Sequence, residues 1–160
     1  MMDPVISKSV AKGNAYFTIR WSVLRQADKF DILNSVPSVS GIFELYFVDR
    51  NRTLNYIDVY RAWYGGLRNT LRELTDPLIA RIPGLRDLAK RKLLVYRYSL
   101  SNSNADMADI IYFFRESKRG AAAGETRPEI AGLKSEPMDP SGRYRYVYVN
   151  ETSPDKLVTI

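Results

Sequence analysis

GIFELYFVDRNRTLNYIDVYRAW, residues 41–63, is the stretch on which the fold class turns. Ile42, Glu44, Tyr46 and Val48 alternate with Phe43, Leu45 and Phe47, and a period of two is that of a strand. DRNRT at 49–53 supplies the polar residues of a turn, and LNYIDVYRAW returns as a second strand, so the pair reads as a hairpin with a moderately long loop. On that alternation Tyr56 and Tyr60 share one face. Pro37-Ser38-Val39-Ser40-Gly41 is the turn that leads in.

Downstream, Gly65-Gly66 breaks the strand, and Leu67, Leu71 and Leu74 recur at helical spacing with Arg68 and Arg72 one turn apart on a neighbouring stripe. That helix is expected to stop before Asp76-Pro77, where Asp76 would cap and Pro77 would open another. Pro83-Gly84 then interrupts, and LRDLAKRK adds a further helical turn or two. LLVYRYSL at 93–100 is a third strand. Ser103-Asn104 caps a helix over ADMADIIYFFRES, with Met107, Ile110, Ile111 and Phe114 as its buried stripe. Strands near 41–48, 54–62 and 93–100 should form one sheet with helices near 66–75 and 104–116 packed on it. The expected class is therefore α+β, with a small, mainly antiparallel sheet opened by a hairpin.

Around this core, residues 1–14 are polar and aperiodic and are expected to be a flexible N-terminal segment. AYFTIRWSVL at 15–24 reads as a strand, or as the start of a helix continuing through RQADKFDIL. The α+β core thus spans 15–117. Residues 118–142, with AAAGE, Pro128, Pro137 and Pro140, have the composition of a long loop or arm. Residues 143–160 make a C-terminal strand and tail, with Tyr144, Tyr146 and Tyr148 on one face. Those tyrosines would stack bases beside Arg143 and Arg145, or cover a hydrophobic sheet face.

With no histidine and no cysteine among 160 residues, Cys/His zinc sites, disulfides, thiol nucleophiles, Ser-His-Asp triads and imidazole acid–base pairs are excluded. Neither a Gly-x-x-x-x-Gly-Lys phosphate loop nor a Gly-x-Gly-x-x-Gly fingerprint is present. No segment has the apolar core of a secretory signal or the roughly 20 apolar residues of a spanning helix, so a cytoplasmic protein without a membrane partner is expected. The net charge is +6, and much of the excess is local. From Arg81 to Arg97 six cations minus one carboxylate, Asp87, leaves +5. Such a run is either a phosphate-binding face or a helix end whose Lys90, Arg91 and Lys92 complement the helix dipole. Ala62-Trp63-Tyr64-Gly65-Gly66-Leu67 is either an anion-binding strand-to-helix junction or a tight turn that needs glycine.

The order hairpin, helix, helix, strand, helix, with GIF at 41–43 heading the hairpin and a tyrosine-rich second strand, resembles the GIY-YIG endonuclease family over about residues 40–116. In that family two motif tyrosines, an arginine on the next helix and a metal-binding glutamate on a later helix surround the scissile phosphate. The resemblance implies a GIY-YIG-like core and puts Phe43 at the first tyrosine. The second motif falls at Tyr56-Ile57-Asp58 or at Tyr60-Arg61-Ala62. On the latter alignment Thr70 stands at the arginine, and Asp109 is nearest to the glutamate. Tyr60, Arg68 and Arg72 are thus the implied catalytic candidates and Asp109 the implied magnesium ligand, in a site with weak or no nuclease turnover, because one missing donor costs on the order of 100-fold or more.

For binding, Arg61, Arg68 and Arg72, extended by Lys90, Arg91 and Lys92, are expected to hold the phosphates of DNA or RNA without reading bases. Glu73, Asp76 and Asp87 would neutralise these cations on the competing reading, which leaves a non-enzymatic α+β module with a protein partner.

Overall fold

The computed structural model describes residues 3–122 and 143–154. The hairpin forms as its alternation dictates: β4 (Gly41–Val48) and β5 (Leu54–Ala62) pair antiparallel, with Phe43 opposite Tyr60 and Gly41 opposite Ala62. On the other side of β4 lies β6 (Leu93–Leu100), also antiparallel, and the two-residue β3 (Arg25–Gln26) completes a sheet of order β3-β6-β4-β5. Gly41 sits where a Cβ would collide with the Ser99 carbonyl of β6. Its glycine is therefore demanded by close backbone approach.

One face of this sheet carries Phe43, Leu45, Leu94 and Tyr96 against α1 (Lys29–Ser35), α2 (Gly66–Thr75) and α3 (Pro83–Arg91). Ile42 and Val59, from the other face, join a second core with α4 (Asn104–Ala122). Met107, Ile110, Ile111 and Phe114 are buried as their spacing predicts. The fold is α+β, as expected.

Several expectations need correction. Residues 6–11 are a strand, β1 (Ile6–Ala11), paired with β2 (Asn14–Arg20) through a two-residue turn at Lys12 and Gly13, both at positive φ. Such an exposed edge strand is held by its backbone hydrogen bonds, so its side chains show no buried period. The C-terminal strand, β7 (Val147–Thr152), runs parallel to β2 in a second sheet of order β1-β2-β7 that packs on α4. Of the three tyrosines only Tyr148 lies in it, stacked on Tyr16 at 5.0 Å. Residues 77–82 form turns and not a helix. The Asp76 side chain accepts the amide of Leu78 at 2.9 Å, and Pro83 opens α3. Five or six residues between two prolines are too few to nucleate a helix. RQADKFDIL does not continue β2 as one helix; α1 is separate, capped by Asp28. Within 118–142, α4 continues to Ala122, and the remainder of the expected arm lies outside the described residues.

The last correction concerns the hairpin face. Between Leu45 and Tyr46 the register shifts, so that Leu45 opposes Asp58 and Tyr46 opposes Tyr56. One extra residue on β5 inverts the phase of every side chain beyond it. Tyr60 accordingly stacks on Phe43 at 5.3 Å, whereas Tyr56 meets the ring of Tyr46 on the opposite face.

Candidate nucleic-acid interface

Two clefts meet at Arg61, near the C-terminal end of edge strand β5. One, of about 580 Å³, is lined by Tyr60, Arg61 and the α4 residues Ala108, Ile111, Tyr112, Arg115 and Glu116. The other, of about 550 Å³, is lined by Arg61, Trp63, Tyr64, Gly65, Thr70, Glu73, Arg81 and Asn104. Asn104, Ala108, Tyr112 and Arg115 succeed one another by about a helical turn, so the clefts run end to end along α4 for roughly 17 Å at ~1.5 Å per residue. Arg61 is exposed and, among the described residues, has no carboxylate within ion-pair distance. Arg81 lies 3.3 Å from Glu73 and Arg115 lies 3.6 Å from Asp58, both pairs substantially exposed. Pairs so placed in water are weak and rearrange readily.

The turn that carries Trp63 and Tyr64 into this groove is rigid for a reason legible in its letters. Gly65 and Gly66 take φ of 80° and 78°, and a Cβ at Gly66 would lie 2.9 Å from the Ser38 carbonyl carbon. The Leu67 amide donates to the Val39 carbonyl at 2.8 Å and ties the start of α2 to the loop before β4. That amide is engaged within the fold, so the junction is first a glycine-dependent turn.

The other expected site residues lie apart. Arg68 donates from Nε to the Val36 carbonyl at 2.8 Å and lines a separate cleft with Asn34, Ser35 and Tyr98. Arg72 buries its Nε without a hydrogen-bond partner among the described residues. Thr70 donates its hydroxyl to the Gly66 carbonyl at 2.9 Å. Lys90 and Arg91 occupy the last turn of α3, where they complement the helix dipole, and Lys92 caps it. Lys92 precedes Leu93, which pairs with Val48, whereas Arg61 pairs with Ile42. Six residues of β4, about 20 Å, separate the two basic regions. Glu73 turns to Arg81, so it does not neutralise Arg68 or Arg72.

Asp109 lies about a quarter turn around α4 from the groove-lining residues. It is fully buried, and its Oδ2 accepts from Arg143 Nη2 at 2.6 Å, with Asp106 3.2 Å from the same nitrogen. Among the described residues no three carboxylates group as metal ligands. A guanidinium already neutralises Asp109, so its surroundings do not fit a magnesium ion.

Burial, with the nearby Asp58 charge, pushes the Tyr60 phenol up to about 12. A general base needs the opposite shift. Burial also raises Tyr46, Tyr56, Tyr96 and Tyr98. In each case the folded state favours the neutral phenol, so this contribution to stability is intact below the ordinary value near 10 and is lost as pH climbs past it. An alkaline titration is expected to show phenolate absorbance rising together with loss of the far-ultraviolet circular dichroism. Titration of all eleven tyrosines near pH 10 with the dichroism unchanged would contradict this burial.

A family model described as "Uncharacterised protein" matches residues 5–160. The chain belongs to that family. No curated protein and no solved structure matches it. Among the described residues no helix is long and apolar enough to cross a membrane.

Arg115, Tyr112 and the placement of Arg81 escaped the sequence reading. Ala108, Tyr112 and Arg115 do fall at one-turn spacing beside the buried stripe of α4, a signal that marks a helix flank but not what lies across from it.

Proposed function

We propose that this chain binds nucleic-acid phosphates, in the cytoplasm, through the surface centred on Arg61, as a divergent GIY-YIG-like domain with weak or no nuclease turnover. The observation that carries the reading is the exposed Arg61, without an ion-pair partner among the described residues, at the junction of two clefts and flanked by Arg81 and Arg115. The element order β4, β5, α2, α3, β6, α4 supports the resemblance. Poor turnover is supported by the buried Phe43, which has no hydroxyl, by the raised Tyr60 phenol and by the Arg143-paired Asp109. DNA and RNA both supply the phosphates, and magnesium would matter only to a turnover that these side chains do not favour.

Fluorescence anisotropy of a labelled oligonucleotide, at two salt concentrations, tests this. The double variant Arg61→Ala/Arg81→Ala is expected to weaken binding about equally across sequences and to lower the salt slope by ~1 per cation removed. Negligible affinity at low salt, or an unchanged affinity and slope in the variant, would remove the reading. The protein-interaction module would then be the better one, because Leu78, Ile79 and Ile82 stand exposed at 82%, 51% and 43% beside the groove residue Arg81.

A further inference from the structure

We propose that the ligand of the Arg61 groove is a single strand, held by base stacking on Trp63 and Tyr64 as well as by phosphate contacts; this rests on the phosphate-binding reading above. Tyr64 is 88% exposed and Trp63 37%, and both line the same cleft as Arg61 and Arg81. Among the described residues neither ring stacks on another aromatic or makes a hydrogen bond, and Tyr64 stands almost wholly in solvent. Tyr64, so exposed, contributes little to stability, yet it offers a flat face to any base, and Trp63 presents its uncovered part beside it. The Gly65-Gly66 turn holds the pair on a backbone tied to Ser38 and Val39, so little ordering remains to be done on binding.

The groove's shape selects the same ligand. At roughly 17 Å it matches about five stacked nucleotides of one strand, at ~3.4 Å each. Its wall along α4 confines the ligand laterally, and duplex bases, already stacked, present no faces to Trp63 and Tyr64. The arginines distribute along the whole length, with Arg81 towards one end, Arg61 at the middle and Arg115 at the other end. Cations spaced along a backbone with aromatics between them are what a strand-tracking groove requires.

The full chain is titrated into one labelled oligonucleotide, single-stranded and then annealed to its complement, at equal salt. The single strand is expected to bind about tenfold tighter or more, quenching the emission of Trp63, with Trp21 buried as an internal reference. Trp63→Ala and Tyr64→Ala should each weaken single-strand binding about fivefold or more. Their salt slopes should stay unchanged, as should the melting profile of Tyr64→Ala, and Tyr64→Phe should retain affinity. Equal affinity for both forms, still sensitive to Arg61→Ala, overturns the single-strand inference and leaves phosphate binding standing. Affinity for neither form at low salt overturns both. Absence of quenching on saturation by the single strand overturns stacking at Trp63 without reference to any variant.

Discussion

Glu44→Ala is expected to cost about 1–3 kcal/mol, because Arg97 keeps Glu151 while the Tyr46 hydroxyl and one side of the guanidinium lose their buried acceptor. Glu44 is fully buried on the central strand β4. Its Oε1 accepts from the Tyr46 hydroxyl at 2.7 Å and from Arg97 of β6 at 2.8 Å. Arg97 also lies over the Trp21 ring at 4.5 Å and reaches Glu151 at 3.4 Å and Ser153 at 2.8 Å. The Trp21 indole donates to the same Glu151 carboxylate at 2.8 Å. This network therefore joins the four-stranded sheet to the sheet that holds β7. At ~2–4 °C per kcal/mol for a chain of this size, the melting temperature should fall by roughly 2–12 °C. Glu44→Gln, which keeps the volume and an acceptor, should lose less. A shift of under a degree or two in the alanine variant would show that the network is not what couples the sheets.

Arg143→Ala is expected to destabilise more than Asp109→Ala, and the order is the informative part. Removing Arg143 takes a cation at 2.6 Å from a carboxylate with no exposure, at a cost of about 3 kcal/mol or more. Removing Asp109 leaves a guanidinium that is 34% exposed and still within 3.2 Å of Asp106, so about 1–3 kcal/mol is expected. Denaturant midpoints measure both, and addition of magnesium should not move the wild-type midpoint. A midpoint that rises with magnesium and ceases to do so in Asp109→Ala would restore Asp109 as a metal ligand.

The candidate site was legible in part. Trp63-Tyr64-Gly65-Gly66 stands out as letters because two adjacent glycines after two aromatics fit neither a strand nor a helix, and it does form one wall of the groove. Arg61, expected to hold phosphate with Arg68 and Arg72, sits where the two clefts meet. Arg68 and Arg72 share a helix stripe, but a stripe says only which residues are neighbours on one helix. Which neighbour that stripe meets depends on α1, whose Val36 carbonyl takes Arg68.

By itself the sequence determined the hairpin, the strands and helices from β4 to α4 apart from the helix expected at 77–82, and the buried stripe of α4, because each follows from a period of two or 3.6 in consecutive residues. Glycine at 41 and 66 and the missing imidazole and thiol chemistry are likewise properties of single letters. The tertiary structure alone decided that β1 pairs at an edge, that β7 joins β2, and that the bulge places Tyr56 and Tyr60 on opposite faces. It alone sent Asp109 to Arg143 and brought Arg115 and Arg81 to the flanks of Arg61. Local period reports how a side chain points relative to its own backbone. Pairing across 34 residues, as between Asp109 and Arg143, depends on where the packed sheets and helices bring distant segments together, and no local pattern encodes that.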